Sequence, residues 1–195
     1  MIEHIPWRGP DYGTSFSGQK LAIVGYSHYL QPHDVDDNQF SIDTVKGVLA
    51  KKWDLFFFNQ IAGYFGKDLH FWNDVVFFNF LPSCIGYEEE KFHHGTSEQV
   101  AFAKDRVLRI ITSEKPDKLL VFTHKGWEGF PQTNEEKLGD PTIPLGKSYP
   151  AQFRWGNYDL DDHHAIAFGL RHPQGAKPDV MRRAVSEIMG MKKGR

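Results

Sequence analysis

Apolar residues fall along this chain in short, nearly unbroken runs, separated by longer stretches where they recur every three or four positions. The runs at 20–25, 74–79, 118–123 and 164–170 are continuous rather than alternating, the pattern of strands buried on both faces. Between them, 42–52, 54–64 and 97–113 carry the helical period, and Gly66 closes the second of these stretches. Thr96-x-x-Gln99 ahead of the third is a capping-box pattern, and Pro116 marks its end. A short helix is expected around 126–130, and Pro178 opens a last helix reaching about 189. Residues 131–160, rich in Pro, Gly and Asn, read as a long loop with a hairpin expected near 152–155. Strand and helix alternate, which predicts a mostly parallel sheet covered by helices. The expected fold is a three-layer α/β/α sandwich with a central four-stranded, mostly parallel sheet. With no repeat, linker or low-complexity tract, residues 1–195 form one domain.

Composition adds boundaries. The chain has 16 Phe, 7 Tyr and 5 Trp, ample material for a core. Its longest apolar runs, at 55–58 and 75–78, fall far short of the roughly 18 residues of a membrane span. The first ten residues carry Glu3, His4 and Arg8 and no apolar stretch, which points away from a signal peptide and toward a cytoplasmic monomer. A lone Cys84 excludes an intrachain disulfide and a Cys-based zinc cluster. Net charge is −2, so no global basic field marks a nucleic-acid binder. From Arg171 onward, however, seven basic residues, among them Lys177, Arg182 and Arg183, face only Asp179 and Glu187.

In open α/β sheets, ligands bind outside the carboxyl ends of the strands. Four polar and aromatic segments converge there: Gly25-Tyr26-Ser27-His28-Tyr29, Asn79-Phe80-Leu81-Pro82-Ser83, Thr123-His124-Lys125-Gly126-Trp127 and Arg171-His172-Pro173-Gln174-Gly175. The first is not a phosphate loop, since it matches neither glycine-rich pattern. Asn79 ends an otherwise apolar strand, and an amide there can donate and accept at once, reading the edge of a planar ligand or satisfying loop backbone. His172 is held beside Pro173 at the same rim.

Together and in this order, these residues resemble the uracil-DNA glycosylase superfamily, over roughly residues 18–188. Gly25-Tyr26-Ser27-His28-Tyr29 is similar to the family's G-Q-D-P-Y loop, Phe77-Phe78-Asn79 to its L-L-N strand end, and His172-Pro173 to the His-Pro of its last motif. The resemblance implies a DNA partner and hydrolysis of the N-glycosidic bond of a flipped uracil-like base, with no metal or organic cofactor. It gives Asn79 the base-reading role, Tyr29 the exclusion of a C5 methyl group, and His172 a hydrogen bond to the leaving base. Tyr26, Phe80 and Phe40 are the candidates for stacking on the base. Lys177, Arg182 and Arg183 would meet DNA phosphates. Two positions depart from the family: Ser27 stands where it has the water-activating Asp, and Gln174 where it has Ser. A carboxylate from Asp34, Asp36 or Asp37 could fold back in compensation.

Three rival readings use other residues. A serine esterase would pair Ser27 with Asn73 and the Asp161-x-x-His164 spacing. A metal hydrolase would use Asp161, Asp162, His163 and His164, or His93 and His94, although adjacent histidines on a strand point to opposite faces. A non-catalytic nucleobase or nucleic-acid binder would keep the fold without the base catalyst, as Ser27 suggests.

Overall fold

The computed structural model describes residues 2–90, 93–133, 135–146, 152–160 and 162–191. The strands are β1 (Trp7–Arg8), β2 (Leu21–Gly25), β3 (Val75–Asn79), β4 (Lys118–Val121), β5 (Glu136–Leu138), β6 (Arg154–Leu160) and β7 (His163–Gly169). The α-helices are α1 (Phe40–Leu49), α2 (Phe56–Tyr64), α3 (Ser97–Glu114), α4 (His124–Gly129) and α5 (Pro178–Gly190). They build a mixed sheet of order β1-β3-β2-β4-β7-β6-β5. The central four, β3-β2-β4-β7, are parallel and correspond to the four apolar runs.

The sheet therefore has seven strands rather than the expected four. β1 adds two residues antiparallel to β3, while β6 pairs antiparallel with β7 and β5 with β6. Both β5 and β6 lie in the stretch expected to be loop. The hairpin foreseen near 152–155 is instead the start of β6, whose partner is β7 along its whole length. β5 lies at the open edge of the sheet with all three of its residues exposed, so it leaves no apolar run to read.

Alternation along the central strands splits the core between the two faces of the sheet. Leu21, Ile23, Val75, Phe77, Leu120, Phe122, Ile166 and Phe168 pack under α1, α2 and α5. Ala22, Val24, Val76, Phe78, Leu119, Val121, Ala165 and Ala167 pack under α3 and against Trp127 of α4. The capping box at α3 is formed: Gln99 N–H donates to Thr96 Oγ1 (3.1 Å) and Thr96 N–H to Gln99 Oε1 (2.8 Å). Buried Lys118 donates to the carbonyls of Ile188 (2.7 Å) and Met189 (2.9 Å), closing the C-terminal turn of α5 with a cation.

Candidate functional site

From β2 the chain runs to β3 on one side and later to β4 on the other, so the connections diverge where the carboxyl ends of β2 and β4 lie side by side. That divergence opens a crevice in folds of this kind. β2 ends at Gly25, in register with Asn79 at the end of β3. A Cβ on Gly25 would lie 2.2 Å from Asn79 Oδ1 and 3.5 Å from Phe57 Cζ. The carboxamide of Asn79 is thus laid across the end of β2, in space that only glycine leaves open. Buried Arg106 on α3 fixes the main chain there by donating to the Asn79 carbonyl (2.7 Å). Asn79 is 3% exposed, yet its Nδ2 has no hydrogen-bond partner among the described residues. An unfilled buried donor costs about 1–3 kcal/mol.

His172 follows β7 at the same end of the sheet. Its Nδ1 accepts from the Gln174 N–H (3.2 Å), which leaves the ring proton on Nε2 as a donor. Burial against the protein lowers its pKa, so the ring is neutral near pH 7. The imidazole centroid is 5.6 Å from that of Phe57, and Phe57 also packs on Phe77 (6.0 Å). One aromatic ring therefore borders both Asn79 and His172, although β2 and β4 separate their strands. Phe57 belongs to the apolar run 55–58, in which nothing local sets it apart from its neighbours; it stands in the first turn of α2.

The loop after β2 is tied internally. Ser27 Oγ lies within donating distance of the His28 carbonyl (2.8 Å) and the Ser83 carbonyl (3.1 Å), linking the loops that follow β2 and β3. The His28 ring stands 3.1 Å from Ser41 Oγ through Nε2 and packs on Phe40 (5.3 Å) and Phe77 (6.1 Å). Desolvation, helped by His4, pushes its pKa down to about 3. Tyr29 is exposed on the loop. Tyr26 stacks on Phe80 (6.3 Å) and its hydroxyl accepts from Gly95 N–H (3.1 Å). Both Tyr26 and Phe80 join the core under α3 and α4, on the opposite face from Phe77. Phe80, expected to contact the base, is fully buried in that core, between Tyr26 and Phe130. Phe40 stacks on His4 (5.6 Å, 14°) beside His28.

The three acids of this region have local partners. Asp34 accepts from Gln31 N–H (2.8 Å), Asp37 from Gln39 N–H (2.8 Å), and Asp36 faces His4 Nε2 (2.6 Å) and Cys84 N–H (3.2 Å). On α5, Lys177 is exposed at the N-cap, Arg182 bonds Asp179 (2.7 Å), and Arg183 donates to the Thr142 carbonyl (3.2 Å).

Among the described residues the esterase and metal-hydrolase sets do not assemble. Asn73 precedes β3 and His164 lies near the start of β7, at the end of the sheet away from Ser27. Asp161 falls outside the described residues. His163 Nε2 donates to the Pro116 carbonyl (2.7 Å), whereas His164 faces Asp159 (2.5 Å). Two surface clefts, of about 320 Å³ beside Asn59 and Lys67 and about 420 Å³ beside Trp127 and Glu136, are lined by other residues. Some of their polar groups pair locally, Asn59 with Asp54, Lys67 with Asp74 and Trp127 with Glu136. Among the described residues no helix is long and apolar enough to cross a membrane. Compared with models of known protein families and with curated protein sequences, the chain matches none.

Proposed function

We propose that the mouth bordered by Gly25, Phe57, Asn79 and His172 receives a uracil-like base turned out of DNA, and that the chain hydrolyses its N-glycosidic bond. The observation that carries this reading is the buried Asn79 amide with an unfilled Nδ2 donor, laid across Gly25 beside Phe57, whose ring also packs on the neutral His172. Turning a base out of the stack costs a few kcal/mol. The face of Phe57 and the carboxamide, donating through Nδ2 to a base carbonyl and accepting through Oδ1 from a ring N–H, offset that cost. As the glycosidic bond breaks, its electron pair leaves with the base and negative charge grows on a base oxygen. His172 Nε2–H donates to that oxygen, an effect on the order of 3 kcal/mol for one well-placed donor. Water adds to the sugar carbon through its oxygen, and the proton it gives up passes through solvent to the departed base anion. Lys177, Arg182 and Arg183 supply phosphate contacts for a protein acting as a monomer.

Ser27 favours a second reading, base binding without cleavage. Its hydroxyl is spent between two carbonyls, and Asp34, Asp36 and Asp37 all have partners, so none of these three carboxylates is poised to activate water. Native protein, Asn79→Ala and His172→Ala should be compared on a uracil-containing oligonucleotide by alkaline strand scission and by binding anisotropy. Slow native excision, lost in both variants, with binding lost only in Asn79→Ala, is the expected result. Asn79-dependent binding with no excision establishes the second reading. Neither excision nor Asn79-dependent binding overturns both.

A further inference from the structure

Behind the mouth, side chains from three separate segments meet. His4 comes from the stretch before β1, Asp36 from the connection between β2 and α1, and Cys84 from the turn after β3. One imidazole nitrogen, one carboxylate oxygen and the Cys84 sulfur lie within 4.8 Å of one another. His4 is 1% exposed and firmly placed: its N–H donates to the Pro82 carbonyl (2.7 Å) and its carbonyl accepts from Arg106 Nη2 (2.5 Å). Asp36 faces Nε2 at 2.6 Å, so that imidazole nitrogen and the carboxylate converge on one point, and a cation there would take the Nε2 lone pair while the ring proton moves to Nδ1. Nδ1 has no hydrogen-bond partner among the described residues, so no bond there resists that change of tautomer.

We propose that His4, Asp36 and Cys84 form a site for one divalent cation of the zinc type. The donor set decides the class. A thiolate and an imidazole select a borderline-soft ion over magnesium or calcium, and one sulfur, one nitrogen and one oxygen leave a fourth tetrahedral position for water. A thiolate and a carboxylate also cancel the charge of a dication, as a largely buried site requires. Zinc bonds of about 2.0–2.3 Å need only modest side-chain rotation from a cluster of this width. On binding, the Cys84 thiol proton passes to solvent and a sulfur lone pair forms the metal bond, with no change of oxidation state. The cysteine count argues against sites of several cysteines, but a mixed set needs only one. Its role is a brace: it would join the N-terminal segment to the two loops already linked through Ser27 and Ser83. The inference stands apart from the base-binding reading, since it uses neither Asn79 nor His172.

The test uses the full chain, reduced and stripped with chelator, then titrated with cobalt(II) and afterwards with zinc(II). The expected result is one equivalent of cobalt with a near-ultraviolet sulfur-to-cobalt charge-transfer band, displaced by zinc, and a higher Tm with zinc. Cys84→Ser should abolish the band. It should weaken zinc binding by more than the roughly 10–100-fold typical of losing an outer-shell partner. His93→Ala/His94→Ala should leave the spectrum unchanged. Cobalt bound to folded native protein without a thiolate band, or no stoichiometric binding at all, overturns the proposal whatever the variants do. In that case the cluster is a hydrogen-bonded knot around Asp36.

Discussion

Gly25→Ala tests the placement of Asn79 directly. The added methyl would sit 2.2 Å from Asn79 Oδ1, more than 1 Å inside ordinary contact, and 3.5 Å from Phe57 Cζ, which is tolerable. The carboxamide is the end of a side chain, so it can turn, but it is 3% exposed and its main chain is pinned by Arg106. Relief must therefore come from an off-rotamer amide or a small shift of β3 against β2. Overpacking of this kind costs about 1–3 kcal/mol. Binding should suffer separately. An amide displaced from a base edge forfeits a bidentate contact worth about 1–3 kcal/mol of discrimination, so affinity for a uracil-containing oligonucleotide should fall roughly 5- to 150-fold. Urea denaturation and anisotropy measure the two effects, and the double variant Gly25→Ala/Asn79→Ala separates them. With the carboxamide gone, the alanine methyl has room, so stability should recover relative to Gly25→Ala while binding stays lost. A Gly25→Ala protein with unchanged stability and unchanged oligonucleotide affinity would show that the amide does not lie where this reasoning requires.

Three further outcomes are expected. Ser27→Asp should not raise excision above the slow native rate: its carboxylate would face the carbonyls of His28 and Ser83, acceptor against acceptor, and destabilise the loop by about 1–3 kcal/mol; brisk uracil release by this variant would refute the loop-tie role. The pKa values of His4, His28 and His172 are all lowered by burial, His28 to about 3, so the unfolded chain binds more protons below about pH 6.5. Stability should be full above that pH and decline as pH falls toward the folded values, by up to about 1.4 kcal/mol per pH unit for each of the better-buried His4 and His28; urea midpoints that stay level from pH 7 to 5 would contradict it. Replacing Arg182 and Arg183 with Ala should lower the salt slope of DNA binding by about one to two counterions, and an unchanged slope would remove α5 from the interface.

The sequence by itself determined the central layer and what covers it. Runs such as 20–25 and 118–123 are apolar on both faces because helices bury both, and that demand is written locally, as is the Thr96–Gln99 cap of α3. It also brought Asn79 and His172 to one rim, because the end of a parallel strand is a position that a one-dimensional pattern can locate. The tertiary structure alone decided which side chains share a face beyond the strand ends. Phe57 and Phe80 are equally apolar in the sequence, yet one borders the open amide while the other is sealed under α4. Ser27 looks in sequence like a weakened catalyst, and its tie to Ser83 depends on how two loops approach each other. The antiparallel strands β5 and β6, and the meeting of His4, Asp36 and Cys84, were hidden for the same reason. Each depends on contacts between segments far apart in the chain, and no local periodicity records a contact of that kind.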